Sequence, residues 1–109
     1  MLGKNRDSLS IVAAVLEAIN PGTSKTRIMY QANLSFTVLK KYLDGVIQAG
    51  FVRVEASTYE LTREGREFLR DYRKFYERYN DAQKLLEAAE SEHDKLSHLC
   101  NKSVLTEPV

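Results

Sequence analysis

The feature that most constrains this chain of 109 residues is an unbroken heptad pattern in its C-terminal third. The spacing between its core-type positions alternates between four and three residues, which is the pattern of a coiled coil. A lone helix with such a stripe would expose a large apolar patch, so the sequence predicts a homodimer formed along it. The predicted dimerisation residues are Phe68, Tyr72, Phe75, Tyr79, Ala82, Leu86, Ala89, His93, Leu96 and Cys100.

The helix that carries this stripe is predicted to be long. Residues 63–100 contain no proline and a single glycine, Gly65, so a helix of about 57 Å follows at ~1.5 Å per residue. Large aromatic residues fill one end of the stripe and alanines its middle. This favours an antiparallel pair, because bulky and small layers then offset each other. Another arrangement is open for Phe68, Leu69 and Tyr72, which lie nearest the preceding domain and would fold back onto it.

Apolar periodicity predicts three shorter helices ahead of the long one. Residues 7–19 form an amphipathic helix, which ends at the sequence Asn-Pro-Gly (20–22) because proline cannot continue a helix. Residues 25–31 form a second helix with Ser24 as its N-cap. The inward-facing residues of this second helix are Ile28 and one of Met29 and Tyr30.

A third helix and a hairpin follow. The helix is predicted over residues 36–49, with Ser35 as its N-cap. Residues 51–55 and 58–62 are β-branched and alternating, so they are predicted to be two strands joined by a tight turn.

Three helices, a hairpin and a fourth helix make up the winged helix-turn-helix arrangement. Thr62 is placed to cap the fourth helix. The predicted fold class is therefore mainly α with a small β-hairpin. We expect a winged helix-turn-helix DNA-binding domain at residues 1–66, a coiled-coil dimerisation helix at 67–100 and a flexible tail at 101–109.

Charge is distributed unevenly along the chain, although the net charge is only +1. Residues 1–74 hold 12 Lys/Arg and 8 Asp/Glu, which gives +4, whereas residues 75–109 hold 4 and 7, which gives −3. A basic front half suits a polyanionic partner. Chance variation among solvated faces would produce the same distribution.

In this fold the third helix enters the major groove, with its first residues nearest the bases. Ser35 and Thr37 can bond phosphates or base edges there, because a helix N-terminus favours anions. Lys40 and Lys41 can neutralise phosphates, and Phe36 can touch a thymine methyl group or a sugar. The predicted DNA-binding residues are Lys25, Thr26, Arg27, Gln31, Asn33, Ser35, Phe36, Thr37, Lys40, Lys41, Arg53, Ser57 and Thr58.

These residues also have structural explanations. Ser35 caps its helix in any case, Phe36 would pack on the turn or on Tyr30, and a single lysine is usually just solvated. Their convergence on one predicted face is what favours DNA binding. Two rival functions stay open: a sequence-specific repressor that reads bases with the third helix, and a protein-interaction module that keeps the fold without binding DNA.

A resemblance to the small archaeal winged-helix proteins is carried by KTRIMYQANLSFTVLKKYLDGVIQAGFV at 25–52 and YELTREGREFL at 59–69. Those proteins comprise predicted transcriptional regulators and chromatin proteins. The likeness is strongest to the dimeric chromatin proteins called "ten-a" in Sulfolobus-type archaea and covers residues 8–100. It implies a winged-helix domain followed by a long helix that forms an antiparallel coiled-coil dimer. The modest net charge departs from this pattern, since an abundant DNA-packing protein is often more basic.

The residues offer no basis for an enzyme, because there is no metal-spaced Cys/His cluster and no phosphate-binding glycine loop. The lone Cys100 leaves no intrachain disulfide, which fits a reducing cytosol. No apolar run approaches the ~20 residues that are needed to cross a bilayer. The N-terminal residues lack the basic segment followed by a long apolar segment that is typical of a signal peptide. We expect no cofactor, metal, membrane contact or small-molecule substrate. The expected partners are double-stranded DNA and a second copy, in the cytoplasm and associated with the nucleoid.

Overall fold

The computed structural model describes residues 6–100, so the predicted tail at 101–109 lies outside the described part of the chain. The order of elements is that of a winged helix-turn-helix followed by a long helix, and the fold is mainly α, as predicted. The chain divides into two compact units, one ending at Arg73 and one beginning at Lys74. The elements are α1 (Ser8–Glu17), β1 (Thr23–Ser24), α2 (Lys25–Ala32), α3 (Phe36–Gln48), β2 (Val52–Glu55), β3 (Thr58–Leu61) and α4 (Arg63–Leu99).

Side-chain caps fix where the helices begin. The Ser24 hydroxyl accepts a hydrogen bond from the backbone N–H of Arg27 at 3.3 Å, and Ser35 accepts one from Val38 at the same distance. The Thr62 hydroxyl accepts one from Gly65 N at 3.1 Å. These three caps were predicted, and each satisfies a backbone donor that would otherwise lack a helical partner, worth about 1 kcal/mol.

The core of the first unit lies where α1, α2 and α3 meet. Its fully buried side chains come from the apolar stripes of those three helices, and Leu69 of α4 is 4% exposed beside them. Phe68 and Tyr72, predicted as dimerisation residues, are partly buried against this same core. The structure therefore shows the fold-back arrangement for these two residues. The largest fully buried side chains are Leu16, Ile28, Leu39, Leu43 and Val15.

The sheet has three strands, whereas the sequence predicted a hairpin of two. Strand β3 lies between β1 and β2, and both pairings are antiparallel. The strand that the sequence reading missed, β1, consists of Thr23 and Ser24, which pair with Tyr59 and Thr58. Two residues are too few to show an alternating pattern, and their partners lie far along the chain. No local sequence pattern therefore predicts this strand.

The second unit continues α4 from Lys74 to Leu99, and leucines on and beside the predicted dimerisation stripe are exposed there. Leu86 is 53% exposed, Leu96 is 64% exposed, and Leu85 and Leu99 are 74% and 82% exposed. Cys100 is an exposed free thiol. Among the described residues, no helix combines the length and the apolar character that a membrane crossing requires.

Candidate nucleic-acid interface

The turn between α2 and α3 is closed by Asn33, which was predicted to contact DNA. Asn33 adopts the left-handed conformation at φ 56°, and its N–H bonds the carbonyls of Met29 and Tyr30. The N–H of Leu34 also bonds the Met29 carbonyl, at 3.1 Å. Asparagine tolerates this conformation better than most residues and commonly ends helices in this way. The sharp turn brings Ser35 and the start of α3 close to α2.

The start of α3 presents the side chains that the sequence singled out. Phe36 is 57% exposed, and Thr37, Lys40 and Lys41 are exposed beside it. The ammonium of Lys25, the first residue of α2, lies 4.9 Å from the centroid of the Phe36 ring. This cation–π contact brings the first turn of α2 next to the first turn of α3. The structure thus joins two separate parts of the predicted set into one surface.

Four cations on this surface are available to an anionic ligand. Within residues 6–100, no ion pair involves Lys25, Arg27, Lys40 or Lys41. Three of these side chains are exposed and that of Lys25 is intermediate. We call this surface the α2–α3 face, defined by Lys25, Arg27, Phe36, Lys40 and Lys41.

A shallow depression of about 440 Å³ adjoins the α2–α3 face, and it contains a residue that the sequence reading did not assign to DNA. Tyr30 is 75% exposed, so Met29 is the residue that packs inward. A helical period counted from Ile28 places Tyr30 on the outer face, which was the available signal. The lining residues are Ser24, Thr26, Arg27, Tyr30 and Gln31.

The wing is the hairpin of β2 and β3. Its predicted DNA-binding cation, Arg53, already forms an ion pair within the wing. Arg53 pairs across the two strands with Glu60, and both side chains remain partly exposed. At the tip, the Thr58 hydroxyl donates to the Glu55 carbonyl at 2.8 Å, which fastens the turn that holds the exposed Ser57. The carboxylate of Glu60 offsets the charge that Arg53 would offer to a phosphate.

Arg6 lies beside the helix-turn-helix and was not predicted. Its guanidinium donates to the Ala32 carbonyl at 2.8 Å and to the Asn33 carbonyl at 3.3 Å. These are the carbonyls at the C-terminal end of α2, where a positive charge is favourable. Arg6 precedes them by more than 25 positions, so the sequence carried no pattern that would link them.

The chain has two short helices joined by a tight turn, unpaired cations at the start of the second helix, and a hairpin wing after it. Together these features define a winged helix-turn-helix protein. A family model described as Winged helix-turn-helix matches residues 5–80, and the chain belongs to that family.

Relatives and solved structures agree with this assignment. Protein MJ0287 of Methanocaldococcus jannaschii, described as uncharacterized, is 36% identical over 73 residues, covering 66% of this chain and 72% of that one. The crystal structure of Sso10a-2, a DNA-binding protein from Sulfolobus solfataricus, matches with a TM-score of 0.59 and 26% identity. That match covers 89% of this chain and 99% of Sso10a-2. The predicted resemblance to small archaeal winged-helix proteins is therefore confirmed.

A bacterial structure shows the same fold. The multiple antibiotic-resistance repressor MarR from Listeria monocytogenes matches with a TM-score of 0.57 and 24% identity, covering 88% of this chain and 71% of MarR. At this identity the likeness concerns the fold alone.

Proposed function

We propose that this protein binds double-stranded DNA as a homodimer, through the α2–α3 face of each copy. The observation that carries the proposal is the set of unpaired cations around the exposed Phe36 at the start of α3. The likeness to Sso10a-2, which is described as a DNA-binding protein, supports it.

The binding geometry follows from the position of the cations. The start of α3 enters the major groove, where Lys40 and Lys41 neutralise phosphates and Thr37 offers a hydroxyl to base edges. Lys25 and Arg27 contact the neighbouring backbone from the start of α2. Phe36, which is 57% exposed, touches a thymine methyl group or a sugar.

The second part of the proposal is dimerisation through α4. Apart from the half-buried Tyr79, the core-type residues from Phe75 onward are exposed, and soluble monomers avoid patches of this kind. Pairing with a second copy would cover the stripe and give the assembly two DNA-binding heads. Phe68 and Tyr72 pack within the first unit, so they contribute less to the dimer contact than the core-type residues from Phe75 onward.

The role that we propose is architectural, as in a cytoplasmic chromatin protein associated with the nucleoid. The α2–α3 face offers four cations, whereas the amide side chains on the same helix and turn are those of Gln31 and Asn33 alone. Such a surface favours phosphate contacts over base readout.

The competing function is a sequence-specific repressor, which the exposed Phe36 and Thr37 at the helix start would favour. Competition with random duplex separates the two functions. A specific protein prefers its site by about 10³ or more at physiological salt, whereas an architectural protein is displaced equally by random DNA.

A mobility-shift titration with random duplex tests DNA binding itself. We expect the double variant Lys40→Glu and Lys41→Glu to lose retention, because it replaces two phosphate-neutralising cations with anions. The matched control is Lys84→Glu with Lys95→Glu, which makes the same charge change in the second unit at residues that are not part of the α2–α3 face. Circular dichroism verifies that both variants are folded. Unchanged affinity in the Lys40/Lys41 variant would reject DNA binding through this face and favour a protein-interaction module.

A further inference from the structure

An apolar cavity of about 330 Å³ lies between α1, the C-terminal part of α3 and the residue that precedes the wing. Ligand pockets in proteins are mostly apolar and carry a few polar groups that orient the ligand. Val12 of α1, the buried Val46 of α3 and Phe51 contribute apolar walls. The cavity opens to solvent beside Gly45 and Ala49, which are both exposed. None of these five residues belongs to the α2–α3 face.

The aromatic walls of the cavity are held in place by contacts within the protein. The Tyr42 hydroxyl donates a hydrogen bond to the Ser8 hydroxyl at 3.1 Å, which joins α3 to the start of α1. The Phe51 ring packs against the Phe68 ring of α4, with their centroids 4.9 Å apart. Because both rings have fixed partners, the cavity is formed before a ligand enters, and this lowers the entropic cost of binding.

Gly45 widens the mouth of the cavity, and the fold itself does not require a glycine there. It lies inside α3, where glycine is less favourable than every residue except proline. Its φ is not positive, and a Cβ at this position would have no atom within 4 Å. A glycine of this kind lets a ligand approach the helix backbone closely. The space beside Gly45 is therefore open to an atom from outside the chain.

The charged side chain at the cavity is that of Lys41. Its ammonium lies 5.6 Å from the centroid of the Tyr42 ring, which places the charge beside an apolar wall. Within residues 6–100, Lys41 makes no ion pair, and no Asp or Glu lines the cavity. Apolar walls with one cation at the edge are complementary to a small molecule that has an apolar body and one anionic group.

We propose that this cavity binds a small apolar monocarboxylate, with its apolar body against Gly45 and Phe51 and its carboxylate paired with Lys41. Lys41 also belongs to the α2–α3 face, so the bound anion occupies a cation that otherwise neutralises a phosphate. The ligand therefore weakens DNA binding, and duplex weakens ligand binding by the same factor. This coupling rests on the proposed DNA binding, whereas the ligand site itself does not.

Amide NMR spectra of the full chain, titrated with decanoate or with 1-naphthoate, test the site. The two probes distinguish an acyl body from an aromatic one, and decanoate is kept below the concentration at which it forms micelles. We expect shifts centred on Val12, Gly45 and Ala49 with at least one probe. Shifts centred on the exposed leucines of α4, or no shifts with either probe, would overturn the proposal.

Filling the cavity tests whether its open space holds the ligand. Gly45→Leu should lower the affinity for the better probe at least about tenfold, because its side chain occupies the space that the ligand needs. The matched control is Gln48→Leu, which adds the same side chain to α3 at an exposed residue outside the cavity and should keep wild-type affinity. Circular dichroism verifies that both variants are folded.

Two results with Gly45→Leu would overturn the proposal. Wild-type affinity for the probe would place the ligand elsewhere. A lower mass in solution than that of the wild type would show that a second copy of the chain covers the cavity.

The charge is tested by Lys41→Gln, which should weaken binding of the carboxylate probe severalfold more than binding of the corresponding alcohol, decanol or 1-naphthalenemethanol. The matched control is Lys40→Gln, at a neighbouring residue that does not line the cavity. It should weaken duplex binding as Lys41→Gln does and yet keep the affinity for the carboxylate. Equal effects of Lys41→Gln on the carboxylate and the alcohol would overturn the pairing with Lys41.

Fluorescence anisotropy with random duplex tests the coupling. A saturating carboxylate probe should lower the duplex affinity of the wild type severalfold and that of Lys41→Gln much less. Unchanged duplex affinity with the probe bound would overturn the coupling. Absence of duplex binding without the probe would reject the proposed function and the coupling with it, whereas the NMR titration would still decide the ligand site.

Discussion

Gly65 lies against the backbone of Phe51: a Cβ at position 65 would be 2.2 Å from the Phe51 carbonyl oxygen. The N–H of Thr62 donates to that same oxygen at 3.0 Å, and the Thr62 hydroxyl donates to the carbonyl of Gly50. The first turn of α4 is thereby joined directly to the base of the wing. This close approach explains a glycine inside a helix, where it costs about 1 kcal/mol relative to alanine.

Replacing Gly65 with alanine should destabilise the protein by about 2–3 kcal/mol. The new methyl group would displace the Phe51 carbonyl, and an overpacked site of this kind forces the backbone to move. Urea unfolding followed by circular dichroism measures the change. A variant with wild-type stability would show that the contact between α4 and the wing is looser than this.

Replacing Gly45 with alanine should have the opposite effect and stabilise the protein by about 1 kcal/mol. Gly45 lies within α3, and a Cβ there would have no atom within 4 Å. The helix would gain propensity without a clash. The same unfolding measurement checks this, with Gly65→Ala as the paired comparison. A loss of stability would contradict the open position of Gly45.

Releasing Arg53 from its ion pair should strengthen DNA binding. Glu60→Gln removes the carboxylate that faces Arg53 across the wing, so the guanidinium becomes available to a phosphate. We expect a severalfold higher affinity for random duplex at low salt, and a loss of that gain in the double variant with Arg53→Ala. Equal affinities for wild type and Glu60→Gln would place the wing outside the contact.

The contribution of Glu64 to stability should disappear in acid. A hydrogen bond from its own backbone N–H lowers the pKa of the Glu64 carboxyl below 4.5, with help from Arg63 and the Thr62 hydroxyl. Because the folded pKa is depressed, the contribution is present above 4.5 and is lost as pH falls through the folded value. The stability difference between wild type and Glu64→Gln should therefore shrink as the pH falls below 4.5. A difference that is constant from pH 7 to pH 3 would contradict this.

Local signals accounted for most of the fold. Apolar periodicity predicted the four helices, and the caps at Ser24, Ser35 and Thr62 were predicted because a capping side chain acts within three residues of its own position. The exposed start of α3 followed from the same periodicity. Two of the residues predicted to bind DNA, Lys25 on α2 and Phe36 on α3, lie in contact in the structure.

What the sequence did not predict depends on contacts between distant parts of the chain. Strand β1 exists only because Thr23 meets Tyr59, and Arg6 reaches the end of α2 across the fold. Arg73 of α4 forms a two-pronged pair with Glu17 of α1, which raises the pKa of Arg73 above its usual value. None of these pairings has a periodic or short-range pattern, so only the folded chain shows them.

The salt dependence of affinity for random duplex is the most direct test of the proposed function. Binding by the four unpaired cations of each α2–α3 face predicts that log K falls linearly with log salt concentration. At about −0.9 per neutralised phosphate, the predicted slope lies between about −3.6 for one engaged head and about −7.2 for two. Fluorescence anisotropy across a salt series measures that slope. A slope near zero, or no binding of duplex at low salt, would contradict the account.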